Sequence, residues 1–498
     1  MKINHITVFK YLLILLFLIT LILFSARFYY TFSSLHSLTG GIEDEGLLAI
    51  WLTQNTQYFQ NHYLNFSLSS EADMKIFNLF HYNWLWYFLH SRLVSAYQFI
   101  FNLNDEWFAN IIRINNFIFS VISFVFLYLT FSIKNNIKYL KTSLCFFVIF
   151  GPLTGFWNIS VKPDFAYLVF EIIAIFFFLK NIERLNFTKI LIISLFLYLA
   201  WSIKQTSIIT SFAIFLYLIF KKDKLVFYYC SIFIILIFLT FILGGENYVR
   251  NMLWVDAKTI FSFNHFFKLF VSTIGKIFPV FVISILFFIV CFKNGFNILK
   301  KNNFYLFCFI GFISSLINIF LSFHIGSAPN YYFVSAIYLV LLTSNYINSL
   351  LVSNDSKFLE IKIINFSLLT QIFLIFLVLI GYIGKIKPFY FKDVKKIQTC
   401  TSNLEKPIFF GSSLEYYRLP WINKLYEKNP LIKNWFYDRK YSKTEITDTP
   451  IYKFIKKGKF NSLVISEYDN GIYLLDEYYL SRICDVQNKY YIYKKIIK

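Results

Sequence analysis

The chain has 498 residues, 57% of them hydrophobic and 22% aromatic, and only 15% are charged, against about 25% in ordinary soluble domains. A soluble core stops growing beyond about 250–300 residues, so this composition excludes a soluble enzyme. It also excludes a disordered chain and leaves a multi-spanning membrane protein. The balance of 48 Lys+Arg to 27 Asp+Glu, net +21, then reads as basic cytoplasmic loops facing anionic head groups, not as nucleic-acid binding.

The first element is a basic stretch, Met1 to Lys10, followed by an apolar run from Tyr11 to about Phe24. No A-x-A cleavage site follows, only Ser25-Ala26-Arg27, so this run is expected to be an uncleaved first span with its N-terminus inside. Further runs near the roughly 20 residues needed to cross a bilayer fall at 111–132, 140–157, 164–180, 189–203, 205–220, 225–243, 269–292, 304–323, 331–350 and 363–384. The expected architecture is thus a polytopic α-helical membrane protein with about 11 transmembrane helices.

Segment 81–101 is apolar but carries His81, Asn83, His90 and Arg92. If it spanned, every later loop would change sides, and the positive-inside rule decides the matter. With 81–101 lying on the outer face as an amphipathic or re-entrant piece, the inner loops hold Lys134, Lys138 and Lys141; Lys180, Arg184 and Lys189; Lys221, Lys222 and Lys224; Lys293, Lys300 and Lys301; and Lys357 and Lys362. The outer connections hold few: Lys162, Lys204, Arg250, Lys258 and Lys268.

Two outer regions are then large. Residues 29–110 form a first exoplasmic loop with seven acids, Glu43, Asp44, Glu45, Glu71, Asp73, Asp105 and Glu106. Residues 385–498 form a tail with 22 basic and 12 acidic residues; long translocated segments escape the charge rule. The tail alternates strand-like runs, 407–411, 462–466 and 489–493, with helix-compatible stretches, which predicts a small α/β domain. Cys400 and Cys484 both fall in it, either as an outer-face disulfide or as two unrelated thiols. Cys145, Cys230, Cys291 and Cys308 lie in apolar runs and read as small core hydrophobes. No Cys/His spacing suits a metal.

Four motifs could carry chemistry. Gly40-Gly41-Ile42-Glu43-Asp44-Glu45-Gly46 puts three carboxylates just outside the first span. They ionise most easily where water, a cation or a hydroxyl donor is at hand; the plain alternative is a solvated acidic loop. In Val161-Lys162-Pro163-Asp164 the acid starts a span, as a functional carboxylate or as a helix N-cap. Ile203-Lys204-Gln205-Thr206 places a Lys in a nearly absent outer turn, where it either snorkels to lipid phosphates or grips a specific one. His324-Ile325-Gly326-Ser327-Ala328-Pro329-Asn330-Tyr331-Tyr332 is a tight turn whose His324, Asn330 and Tyr331 offer the neutral hydrogen bonds that sugars need, or is an ordinary turn with interfacial aromatics. Glu171 is an intramembrane acid and so a functional candidate by default; pairing with a polar helix residue such as Gln205 is the alternative. All four motifs fall on the expected outer face, at span ends.

A basic N-terminus, one span and a long outer loop opening with Asp44-Glu45-Gly46 resemble the GT-C class of integral membrane glycosyltransferases. The protein O-mannosyltransferases and the lipid A aminoarabinose transferase belong to that class. The Lys162-Pro163-Asp164, Lys204-Gln205-Thr206 and Gly326-to-Tyr331 stretches resemble pieces of its bacterial members. The resemblance covers 1–384, as a transmembrane catalytic domain; the tail, 385–498, is similar only in general character. It implies a polyprenyl-phosphate-sugar donor at the outer leaflet and a hydroxyl acceptor on a lipid, glycan or protein. It also implies a multi-pass protein of the bacterial inner membrane with a cytoplasmic N-terminus and an exoplasmic C-terminus.

In that frame Asp44 is the expected base, with Glu45 and Glu43 beside it. Asp164 orients the acceptor or helps hold a divalent metal with Asp44. Lys204 stabilises the departing phosphate, and Lys162, His324, Asn330 and Tyr331 line the substrate site. The class varies in metal use, and the acids of this chain do not decide it. The rival readings are a lipid-linked oligosaccharide flippase or polymerase, and a solute transporter. A flippase should carry its charges along a central cavity. A transporter should show two related halves or broken helices at mid-membrane, neither of which is legible in the sequence.

Overall fold

The computed structural model describes residues 5–33, 42–55, 82–103, 107–253, 261–324, 327–352, 358–385, 400, 404–405, 408–410, 455–466, 475–485 and 489–496. It is dominated by helices. In chain order they are α1 (His5–Ser33), α2 (Ile42–Asn55), α3 (Trp84–Phe101), α4 (Phe108–Ser132), α5 (Lys138–Phe150), α6 (Asp164–Lys180), α7 (Phe187–Ile203), α8 (Ile209–Phe220), α9 (Leu225–Leu253), α10 (Phe263–Lys276), α11 (Phe278–Lys293), α12 (Asn297–Lys301), α13 (Asn303–Ser315), α14 (Ile317–Leu321), α15 (Phe333–Val352) and α16 (Phe358–Lys385). Every run expected to cross the membrane is helical over most of its length.

Not every such helix is long enough to span alone. Among the described residues, five segments are long and apolar enough to cross a membrane: His5–Phe32, Phe108–Ser132, Leu225–Glu246, Asn303–Leu321 and Leu359–Tyr382. The bent pair α10–α11 makes a sixth if counted as one span. α5 has 13 residues, α8 has 12, and α6 and α7 have 17 each. α6 buries almost every side chain, so its continuous apolar run reflects an interior helix as much as a lipid-facing one.

The expectation that no helix is broken needs correction. α10 and α11 meet at 91°. The break sits at Ile277, and Pro279 opens α11, where its missing N–H costs nothing to a new helix but would interrupt a continuous one. The Phe278 N–H is donated to Gln371 Oε1 of α16 instead (3.1 Å). α9 also kinks, at Gly245, whose φ of 73° suits glycine.

The chain divides into two compact units: 1–29 with 114–240 and 262–386, and 30–113 with 241–261 and 387–498. The first is a helical bundle with α6 at its interior. Phe178 of α6 packs edgewise on Tyr217 of α8 and against Phe307 of α13, at 5.4 and 4.5 Å between ring centroids. α13 and α15 approach closely at Gly311, where a Cβ would lie 2.3 Å from the Tyr338 ring.

In the second unit α2 packs on α3, and Gln54 donates to Gln98 across the pair (2.8 Å). Asn83 caps α3 by accepting from the Trp84 N–H (2.8 Å), and it also accepts from the Tyr248 hydroxyl. His90 is fully buried against Trp86. The tail contributes β1 (Ile408–Phe410), β2 (Ser462–Ser466), β3 (Tyr478–Asp485) and β4 (Lys489–Lys495) in the order β1-β2-β4-β3. β1 runs parallel to β2, and the other pairs are antiparallel. Three of these strands coincide with the expected runs; β3 was not foreseen, because Tyr478–Asp485 has a bulge at Leu480/Arg482 that breaks the two-residue alternation. Cys400 and Cys484 form a disulfide. Cys145, Cys291 and Cys308 are buried thiols, and Cys230 is half-buried.

Candidate functional site

The site is built from three chain segments of the helical bundle. The first is the turn entering α6. Asn116 of α4 holds it by donating to the carbonyls of Ser160 and Lys162. The Ser120 hydroxyl meets the Asn158 carbonyl (2.9 Å). Lys162 is buried, with its ammonium 6.0 Å from the Trp157 ring. Pro163 then hands the chain to α6, so Asp164 stands at the first helical position, where the positive end of the helix favours a carboxylate. Its side chain does not cap the helix, because it is engaged elsewhere.

The second segment is the turn from α7 to α8. Lys204 closes α7, and its ammonium donates to Asp164 Oδ1 at 2.6 Å. Lys204 is 7% exposed and Asp164 is 0% exposed. Lys204 therefore does not snorkel to lipid; it is one half of a buried ion pair. Its ammonium also lies over two aromatic faces, 5.3 Å from the ring centroid of Tyr167 and 5.7 Å from that of Tyr331.

The third segment is the turn before α15. A 3-10 turn, Pro329–Tyr332, carries Asn330, whose amide donates to Asp164 Oδ1 at 2.8 Å. Asn318 donates to the Tyr331 carbonyl (3.1 Å), and Ser322 and Tyr332 share a hydroxyl contact of 2.9 Å. His265 of α10 meets Ser327 (3.1 Å), so neighbouring helices hold the turn on several sides. Burial pushes the His324 imidazole below its ordinary pKa, which keeps it neutral; residues 325 and 326 lie outside the described residues.

Three of the four motifs thus meet at one carboxylate, although 166 residues separate Asp164 from Asn330. Two buried acceptors of the cluster, Asp164 Oδ2 and Asn330 Oδ1, receive no hydrogen bond among the described residues. A buried carbonyl-type oxygen without a donor costs free energy, so this pair is suited to a ligand that brings N–H or O–H groups. A divalent cation fits less well, because the Lys204 ammonium already sits 2.6 Å from the same carboxylate and repels a second positive charge. Among the described residues, no group of three His, Cys, Asp or Glu gathers to hold a metal.

The fourth motif falls in 29–110, the first exoplasmic loop, which is expected to carry amphipathic helices. Glu43, Asp44 and Glu45 open a helix, α2, whose first turn favours acids. Their side chains lie outside the described residues, as do Gly40 and Gly41. They belong to the other compact unit.

Beneath the ion pair is a second polar layer. Glu171, 1% exposed, follows Asp164 by two turns of α6. Its partners are Ser207, which donates to Oε1 at 2.6 Å, and Thr210, which donates to Oε2 at 3.3 Å. The Tyr338 hydroxyl of α15 reaches Thr210 (3.2 Å). Sequence reasoning missed Tyr167, Ser207, Thr210 and Tyr338. The spacing Asp164–Tyr167–Glu171, which places three polar groups on one helix face, was the available signal; the hydroxyls carried none. No protein-family model matches the chain, and no curated protein is similar to it.

Proposed function

We propose that the protein is a membrane glycosyltransferase. It moves a sugar from a polyprenyl-phosphate donor to a hydroxyl of a lipid, glycan or protein acceptor at the outer face of a bacterial plasma membrane. The observation that carries the reading is the buried Asp164–Lys204–Asn330 cluster, with two acceptor oxygens that have no donor among the described residues. Sugar and acceptor hydroxyls are the donors such oxygens need. The ammonium offers a charge for phosphate, and the Tyr167 and Tyr331 rings offer flat faces.

In the reaction, the bond from the sugar C1 to the phosphate oxygen breaks, and its electron pair leaves with polyprenyl phosphate. The acceptor oxygen forms the new bond to C1, and its proton passes to a carboxylate base, for which the sequence motif names Asp44, with Glu43 and Glu45 as the alternatives. Asp164 and Asn330 orient the hydroxyls. Lys204 shares its charge between Asp164 and the departing phosphate. Lys162, His324 and Tyr331 bound the pocket. The residues at Asp164 suit a metal poorly, and no step is drawn through one.

The topology proposed with it has eleven spans: α1, α4, α5, α6, α7, α8, α9, α10–α11, α13–α14, α15 and α16, with the N-terminus inside and the sheet-bearing tail outside. Two features support it. Residues assigned to the inner side touch one another: Asn135, between α4 and α5, donates to the Ser344 carbonyl in the second half of α15 (2.6 Å), and Asn303, at the start of α13, donates to Glu183 between α6 and α7 (2.9 Å). The Cys400–Cys484 disulfide suits an oxidising compartment.

The break at Ile277 favours a second reading, a solute transporter. Two measurements separate them. Mass spectrometry of co-purified lipid is expected to find a polyprenyl phosphate. Asp44→Asn is expected to abolish sugar transfer in membranes while insertion is retained, since an amide cannot take a proton. Near-normal transfer by Asp44→Asn, with loss in Glu43→Gln or Glu45→Gln, moves the base to a neighbour. Full activity in all three variants rejects the motif as catalytic.

A further inference from the structure

The helix before the 91° turn, α10, has three faces of different character. Phe263, Phe267 and Val271 follow one another at intervals of a turn and form an apolar ridge, each of them more than half exposed. Asn264, Lys268 and Ser272 form a polar ridge beside it, also exposed. Leu269 and Thr273 are buried on the third face. At 3.6 residues per turn the two exposed ridges lie about 100° apart around the helix.

Water over both ridges would leave a row of large apolar groups unscreened, and hydrocarbon over both would strand the Lys268 ammonium. A helix lying along a leaflet boundary satisfies both ridges at once. The fold gives α10 that attitude. It meets α11 at 91°, and Ile285, Ile289 and Phe292 of α11 are exposed, so α11 crosses in contact with lipid while α10 runs parallel to the membrane plane. α11 has 16 residues, about 24 Å of helix, against a hydrocarbon core of about 30 Å. With Lys293 at the basic end, the turn at Ile277 lies about 6 Å inside the opposite boundary, which is the depth of an interfacial helix and not of the bilayer midplane.

The protein side of α10 is joined to the turn that carries Asn330. The Ser262 N–H donates to the Phe323 carbonyl (2.8 Å), and the Phe266 ring stacks on that of Phe323 at 4.2 Å. His265 meets Ser327 (3.1 Å), and Phe270 packs against Tyr332. We propose that α10 is an in-plane membrane anchor: its Phe263–Phe267–Val271 ridge is embedded among the acyl chains of the leaflet away from the basic loops, and the helix fixes the Asn330-bearing turn at head-group depth. α11 alone then crosses, the number of spans is unchanged, and the break at Ile277 is a surface bend. The placement of α10 is independent of the reaction proposed above.

The test is a depth measurement on the full chain. Single cysteines are introduced in a Cys230→Ser background, because the other free thiols among the described residues are buried. The protein is spin-labelled and reconstituted in vesicles of phosphatidylcholine and phosphatidylglycerol. Relaxation of the label by oxygen, which concentrates among acyl chains, is compared with relaxation by a water-soluble nickel chelate. The oxygen-to-nickel ratio is expected to be about fivefold higher for Phe267→Cys than for Lys268→Cys, because the two faces of an interfacial helix lie on opposite sides of the boundary. Phe263→Cys and Ser272→Cys repeat the comparison on other turns, and all four positions are exposed, so the core is left intact. Oxygen-dominated relaxation at both faces would make α10 half of a broken span. Nickel-dominated relaxation at both would put it in water. Low access to both reagents at Phe267→Cys and Phe263→Cys would mean that protein covers the ridge. Each of these three results overturns the inference, and none bears on sugar transfer, which the Asp44→Asn assay tests separately.

Discussion

The two ends of the helical bundle handle charge in opposite ways. At the end expected to face the cytoplasm, Lys134, Lys138, Lys180, Arg184, Lys221, Lys222, Lys224, Lys293, Lys301 and Lys362 are exposed. At the other end Arg27, Lys162, Lys204 and Asp164 are buried. Arg27 donates to the carbonyls of Gly151 (2.9 Å) and Gly155 (3.3 Å), and Lys204 and Asp164 neutralise each other. Exposed charges are cheap to keep, because water solvates them. Buried ones are tolerated only where partners are placed for them, so a cluster of them marks where the fold has spent stability on a site. The contrast has exceptions at both ends: Lys141 at the basic end is buried and hydrogen-bonded to Ser132 (2.9 Å), and Lys268 at the other end is exposed.

The contrast can be broken most sharply at Lys204. Lys204→Met leaves Asp164 buried without its cation and should cost about 3–5 kcal/mol, read as a lowered thermal midpoint in detergent. Adding Asp164→Asn should restore most of that stability, because a neutral pair avoids the stranded charge, yet sugar transfer should stay lost. A double variant as unstable as the single one would mean that Lys204 acts by packing.

Gly311→Ala tests whether the lower layer is held by close helix packing. The added methyl meets the Tyr338 ring, and a destabilisation of about 1–3 kcal/mol is expected, with the Tyr338–Thr210 contact displaced. Unchanged stability would show that the ring has room to turn.

His90 extends the comparison to the second unit. Burial pushes its imidazole down to about 3, whereas the unfolded chain has the ordinary value near 6.5. The unfolded state therefore takes up a proton that the folded state refuses. Stability is full above about pH 6.5 and falls by about 1 kcal/mol per pH unit as the pH drops from there toward 3. His90→Gln should flatten the dependence of the thermal midpoint between pH 7 and 5; an equally steep slope would place the proton uptake elsewhere.

The smallest effect belongs to the basic end. Lys221→Ala and Lys222→Ala should each change stability by no more than about 0.5 kcal/mol, because both side chains are exposed. A loss near that of Lys204→Met would erase the distinction between the two ends.

By itself the sequence determined the membrane character and the position of nearly every long helix, because these follow from composition and from runs along the chain. It also located the chemistry of the site one motif at a time: Asp164, Lys204 and Asn330 each stood out as a polar residue at a span end. Only the tertiary structure decided that they share one carboxylate, since a contact between residues 40 and 166 positions apart leaves no local trace. The same holds for the role of Lys204, whose partner could not be read from its own turn, and for Ser207, Thr210 and Tyr338. A hydroxyl in an apolar segment looks alike whether it bonds its own backbone or a buried acid, and packing alone takes Ser207 and Thr210 to Glu171 and Tyr338 to Thr210.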